Sequence, residues 1–151
     1  MPKFSVIDGA VLNTTPTAVY NSIMGEYSGK THFWMPDFEF KPKGGNPMDQ
    51  VGSTCDTIAR GRGMTARFCE RVTAINPGEF IEFEISGDFT GTEKWTFEPL
   101  ADGQTKANVA WIGDSNKLIL SLVSPFVNIE KELHKSRQKL LKILQDKLQK
   151  E

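Results

Sequence analysis

Four charged side chains occupy positions where an ordinary core would have none: Glu70, Glu93, Glu130 and Arg137. Glu70 is in phase with Phe68 and Val72, and Glu93 with Phe89, Trp95 and Phe97, so strands of period two would turn both carboxylates to the apolar side. In the C-terminal stretch, stepping about 100° per residue from Phe126 puts Glu130, Arg137 and His134 about 40°, 20° and 80° away, inside or beside a stripe of leucines. Desolvating an unpaired carboxylate or guanidinium costs several kcal/mol, so inward-facing members of this set must meet one another or a polar group of a ligand. Glu70 and Glu93 lie on strands separated by one other, roughly 9.6 Å apart if level, which is too far to share a proton. An arginine from the helix fits between them. The expected arrangement is a cluster of Glu93, Arg137 and Glu70 that orients the oxygenated end of an otherwise apolar ligand. Two alternatives stay open: a β-bulge would turn either glutamate outward, and Arg137 could snorkel along apolar surface to water. His134 is the histidine placed to act as a general acid or base there, with Glu130 one turn away to hold its tautomer. The plainer reading is a boundary histidine beside an exposed glutamate.

Other chemistry is quickly set aside. Cys55 and Cys69 form no CxxC pair, and His32 and His134 stand far apart, so the residues suggest no metal site and no cofactor. The segments GDFTG and GRGMT lack the spacing of a phosphate-binding loop, and neither GxSxG nor HExxH occurs. Ser121 and Ser124 read as helix-entry residues. Eighteen Lys plus Arg against nineteen Asp plus Glu, a net charge of -1, give no basic field for phosphates, and nucleic acid is not an expected partner. The longest apolar run, 118–123, falls far short of the roughly 20 residues that cross a bilayer. The N-terminus develops no apolar stretch of signal-peptide length, so a cytoplasmic location with reduced thiols is expected.

The elements that must position the charged set follow from periodicity. With 151 residues, 38% hydrophobic and 25% charged, the chain reads as one domain, residues 1–151. Residues 3–12 alternate as a strand. Thr14 or Thr15 then caps a helix with Pro16 in its first turn and an apolar face of Ala18, Val19, Tyr20, Ile23 and Met24, ending near Gly25. A second short helix is expected across 26–35, leading to Phe33-Trp34-Met35-Pro36. Phe38 and Phe40 restore a period of two before a Gly- and Pro-rich loop, 42–52, expected to be the most mobile. Strands follow at 53–60, 64–75, 79–86, 89–98 and 105–112, with a type II turn at Pro77-Gly78 and Gly87 suited to a II′ hairpin. Such short links imply an antiparallel meander. From 125 to 150 the chain contains no Gly or Pro after Pro125 and keeps a 3.6 period, so it is a long helix with Leu133, Leu140, Leu144 and Leu148 on its dry side. Its lysines, interspersed with acids, form a solvated face.

A one-faced meander and a one-striped helix each need a partner, and wrapping the sheet around the helix supplies it. The segments TTPTAVYNSI, FWMPDFEF, VGST, INPGEFIEFEI, EKWTFEPLADGQTKANV and EKELHKSRQKLLKIL, in that order, resemble the SRPBCC superfamily, which includes START domains, polyketide cyclases and birch-pollen-allergen-like proteins. The resemblance covers essentially the whole chain and carries no catalytic fingerprint. It implies an α+β helix-grip fold: a curved antiparallel sheet of about seven strands around a long C-terminal helix, with two short helices after the first strand. It also implies an apolar cavity for a small hydrophobic ligand, a lipid, isoprenoid or aromatic, polyketide-like molecule. Its walls would be Trp34, Met64, Phe68, Ile81, Phe83, Trp95, Trp111, Phe126 and Leu133, with Glu93, Glu130 and Arg137 as polar contacts. From periodicity alone the same residues read rather as an ordinary filled core, and it is the resemblance that favours a cavity. The rivals are a cyclase-, aromatase- or dehydratase-type enzyme using His134 and Glu93, and a protein-interaction module of the same fold.

Overall fold

In the computed structural model the described residues are 3–61, 64–115 and 129–149. They form a seven-stranded, wholly antiparallel sheet with one helix after its first strand and a long helix at the C-terminal end. The strands are β1 (Lys3–Leu12), β2 (Phe38–Pro42), β3 (Thr54–Gly61), β4 (Met64–Asn76), β5 (Phe80–Gly87), β6 (Phe89–Pro99) and β7 (Thr105–Ser115). Their order across the sheet is β1-β7-β6-β5-β4-β3-β2, so the six strands β2 to β7 are a meander and β1 closes against the last of them. The helices are α1 (Pro16–Tyr27) and α2 (Ile129–Gln149). Positions 125–128 of the expected helix and Phe126 lie outside the described residues, as does the side chain of Met64.

Local chemistry accounts for most boundaries. Thr15 caps α1 by accepting the Ala18 amide, and Pro16 occupies the first turn, where its missing N–H has no intrahelical partner to lose. The second short helix expected over 26–35 is absent: these residues end α1 and then form turns. Gly29 adopts φ +72°, which stops the helix, and the buried Glu26 carboxylate accepts the Trp34 amide at 2.8 Å and the Thr31 hydroxyl at 2.5 Å. A side chain thus replaces the helical hydrogen bonds, and Trp34 swings into the core. The Asn76-to-Glu79 turn is as expected, with Gly78 at φ +81° and the Glu79 amide bonded to the Asn76 carbonyl. The link at Gly87 differs from the expected two-residue hairpin. Pairing of β5 with β6 begins only at Ile85↔Gly91, and Asp88 instead exchanges two hydrogen bonds with Arg67 of β4. Gly91 faces Gly113 where β6 and β7 approach so closely that a Cβ on either would meet backbone at 2.0 or 1.8 Å.

The concave side of the sheet carries two apolar clusters. The larger joins α1, the C-terminal half of α2 and the sheet through Ile23, Tyr27, Trp34, Phe83, Trp95, Leu140 and Leu144. The smaller, of Phe4, Val6, Ala66, Phe68, Ile85, Phe89 and Trp111, packs with Leu133 of α2. The 42–52 loop is anchored to the first: Met48 is fully buried and its amide donates to Ser28 Oγ.

Candidate functional site

Between the two apolar clusters runs a layer of buried polar groups. On β6, Glu93 separates Trp95 of the larger cluster from Phe89 of the smaller; on β4, Glu70 separates Val72 from Phe68. Arg137 takes the corresponding place on α2, one turn from Leu133 on one side and from Leu140 and Leu141 on the other. The period of two turns both glutamates inward, and the only register shift in β4 against β5, between Val72 and Ala74, comes after Glu70 and leaves its direction unchanged. Glu93, Glu70 and Arg137 are 0%, 1% and 2% exposed. Arg137 therefore does not snorkel to water.

Three donors converge on Glu93. Its Oε1 accepts the Tyr27 hydroxyl at 2.8 Å and Trp95 Nε1 at 3.1 Å, and its Oε2 accepts Arg137 Nη2 at 2.7 Å. The guanidinium carbon of Arg137 lies 4.3 Å from the centre of the Trp111 ring and 5.3 Å from that of Phe38, so aromatic faces replace much of its lost hydration. Glu70 is less well provided: its Oε2 accepts the Thr57 hydroxyl at 2.7 Å. Burial first, and the nearby Glu93 charge second, push the Glu70 carboxyl up to about 8, against the opposing pull of Thr57 and Arg137. The same burial, reinforced by Glu70 and Glu93, holds the Tyr27 phenol well above its ordinary value. Among the described residues, Arg137 Nε, Trp111 Nε1 and Ser115 Oγ are buried with no hydrogen-bond partner.

The residues read from the sequence as a site divide into three groups. Phe68, Trp111 and Leu133 meet in the smaller cluster, against the Glu93–Arg137 pair. Trp34, Ile81, Phe83 and Trp95 belong to the larger one. There Trp34 stacks on Trp95 and donates Nε1 to the Leu140 carbonyl at 3.0 Å, while Phe83 stacks on Tyr27. Glu130 and His134 face neither: they clasp α2 to β1, the edge of the sheet. Glu130 accepts the Ser5 amide at 3.0 Å, His134 Nδ1 is 2.6 Å from Asp8 Oδ2, and Gln145 donates to the Val11 carbonyl. Edge-strand backbone groups without a strand partner are satisfied this way. The His134 ring is 47% exposed but the Asp8 side chain only 7%, and we expect His134→Ala to cost about 1–3 kcal/mol in a urea melt, because it takes the partner from a buried carboxylate.

Tyr27, Thr57 and Asp8 were not singled out by sequence reasoning. A signal existed for each: Tyr27 continues the spacing of Val19, Tyr20, Ile23 and Met24, Thr57 is in phase with the buried Cys55, and Asp8 is in phase with Phe4 and Val6. Both cysteines are free thiols. A groove of about 440 Å³ between α1 and the loop after β2, lined by Tyr20, Met24, Lys30 and Asp49 among others, lies apart from the polar layer. Among the described residues no group of three His, Cys, Asp or Glu side chains could hold a metal ion, and no helix is long and apolar enough to cross a membrane.

No family model matches the chain, and no curated protein matches it. Solved structures do. A START superfamily protein from Mycobacterium smegmatis superposes with a TM-score of 0.72 at 14% identity, covering 99% of both chains. The chain has the helix-grip fold. Ara h 8.0201 gives a TM-score of 0.70 at 15% identity over 99% of this chain and 100% of that one. Aha1 from Colwellia psychrerythraea, solved as a dimer, gives 0.65 at 16% identity over 95% of each. The SRPBCC resemblance read from the sequence therefore holds for the helix-grip fold along the whole chain.

Proposed function

We propose that this protein binds a small, largely apolar molecule between the sheet and α2, with the molecule's oxygenated end on the Glu70–Glu93–Arg137 layer. Phe4, Phe68, Phe89, Trp111 and Leu133 would surround the apolar part. The observation that carries this reading is the charged layer itself: two carboxylates and a guanidinium inside an aromatic interior, with Arg137 Nε and Trp111 Nε1 left without partners among the described residues. A core serving stability alone gains little from such groups, since well-packed apolar residues of similar volume usually do as well. Donors held dry and unpaired are suited to an incoming acceptor. The SRPBCC resemblance implies ligands of this kind, and the fold is shared with a START superfamily protein. An acid–base enzyme using His134 and Glu93 is less well supported, because three donors already hold Glu93 and His134 lies on the outer seam with Asp8.

Native mass spectrometry of protein purified from its own host provides the test. We expect an extra mass that organic extraction releases, and displacement of the fluorophore N-phenyl-1-naphthylamine by that extract. Ala66→Trp, which fills the smaller cluster, should abolish fluorophore binding while the far-ultraviolet circular dichroism stays unchanged. Absence of both a copurifying molecule and fluorophore binding would reject the proposal.

A further inference from the structure

The polar layer holds two carboxylates and one guanidinium in a space closed to water, and this imbalance can be resolved from the geometry. The groups that face Glu70 are Cys55 and Thr57 from β3, Tyr27 from α1, Glu93 from β6 and Arg137 from α2, while β5 presents the apolar Ile85 in register with it. Burial raises both the Cys55 thiol and the Tyr27 phenol above their ordinary values, so neither brings a negative charge. One cation then balances one carboxylate. Glu93 takes that role, because three donors converge on it and one is the guanidinium. Among the described residues Glu70 receives the Thr57 hydroxyl and no ion pair, so the second carboxylate carries a proton. With Oε2 occupied by Thr57, the carboxyl hydrogen belongs on Oε1.

We propose that neutral Glu70 donates this hydrogen to an uncharged acceptor oxygen of the bound molecule, so that the site selects apolar compounds ending in a carbonyl. This rests on the binding function proposed above and adds the chemical class. The buried groups without a partner among the described residues point the same way: Arg137 Nε and Trp111 Nε1 can only donate, and Ser115 Oγ is able to. Asp114 Oδ1, the one acceptor-only atom among the buried groups without a partner in the described residues, alternates to the opposite face of β7 from Trp111 and Ser115. An amine would bring further donors to a site already rich in them. A carboxylate would add a second negative charge beside Glu93, whose counter-charge among the described residues, Arg137, is already in use.

Two measurements test this. In infrared difference spectra recorded through a pH titration, the stretch of a protonated, non-aqueous carboxyl should disappear with a midpoint near 8 and be missing from Glu70→Gln. Calorimetric titration with acetylnaphthalene, ethylnaphthalene and naphthoate at about pH 6.5 and about pH 9.5 should rank the ketone first at the lower pH. Its affinity should then fall up to about tenfold for each pH unit above the titration of Glu70, with the hydrocarbon unaffected. Glu70→Gln, whose amide retains a donor, should bind the ketone without that pH dependence. Ketone and hydrocarbon binding equally at both pH values, naphthoate binding tightest, or an infrared band unaffected by Glu70→Gln would overturn the inference and leave the binding function standing. Failure of all three probes to bind would count against both.

Discussion

Arg137→Met should lower the unfolding free energy by about 3–5 kcal/mol, because it leaves the Glu93 carboxylate buried with no counter-charge. The pair is enclosed, with side chains 3% and 0% exposed, and the carboxylate cannot relax toward water. Tyr27 and Trp95 would still donate to Glu93, but neutral donors do not replace a cation at 2.7 Å. The double variant Arg137→Met/Glu93→Gln should recover much of the loss, since it removes both charges and keeps an acceptor for Tyr27. Urea melts of the two single variants and the double complete the cycle. A single-variant loss below about 1 kcal/mol would mean that the pair is solvated and the layer is not dry.

Glu70→Gln should act in the opposite direction and change the pH dependence of folding. Glu70 has an ordinary value of 4.5 and is pushed up to about 8 in the fold, so between these limits the folded protein holds a proton that the unfolded chain has released. Stability attributable to this group is therefore complete below about 4.5 and is lost as pH rises through about 8. The wild type should grow less stable over that window, and a carboxamide, having no proton to lose, should remove the slope. At about pH 9 we expect the variant to be the more stable by on the order of 3 kcal/mol, after allowance for relaxation around the buried charge. Denaturant melts at intervals across the window provide the measurement. Parallel pH profiles for the two proteins would show that Glu70 is ionised throughout.

Strand alternation put Glu70 and Glu93 in phase with Phe68 and Phe89, and the 3.6 period put Arg137 on the leucine side of its helix, while a β-bulge and snorkelling stayed open in the sequence. The meander, the Pro77-Gly78 turn and the wrapping of sheet around helix followed from the same patterns. These are properties of a backbone repeating over a few residues, which a sequence carries explicitly. What failed depended on contacts between distant residues. The expected second helix gave way to turns built on the Glu26 carboxylate and a Trp34 side chain that reaches the Leu140 carbonyl, 106 positions away. A helical angle placed Glu130 and His134 near the dry stripe, yet that stripe borders two surfaces, the concave face and the edge of β1, and only packing assigned them to the edge. Likewise, phase identified two inward carboxylates, but not that Tyr27, Trp95 and Arg137 would converge on one and leave Thr57 alone to the other. Sequence periodicity indicated the inward direction of Glu70, Glu93 and Arg137; sheet curvature and the seating of the helix decided which groups they meet, because proximity across a fold is set by the whole chain and direction along a strand by its own pleat.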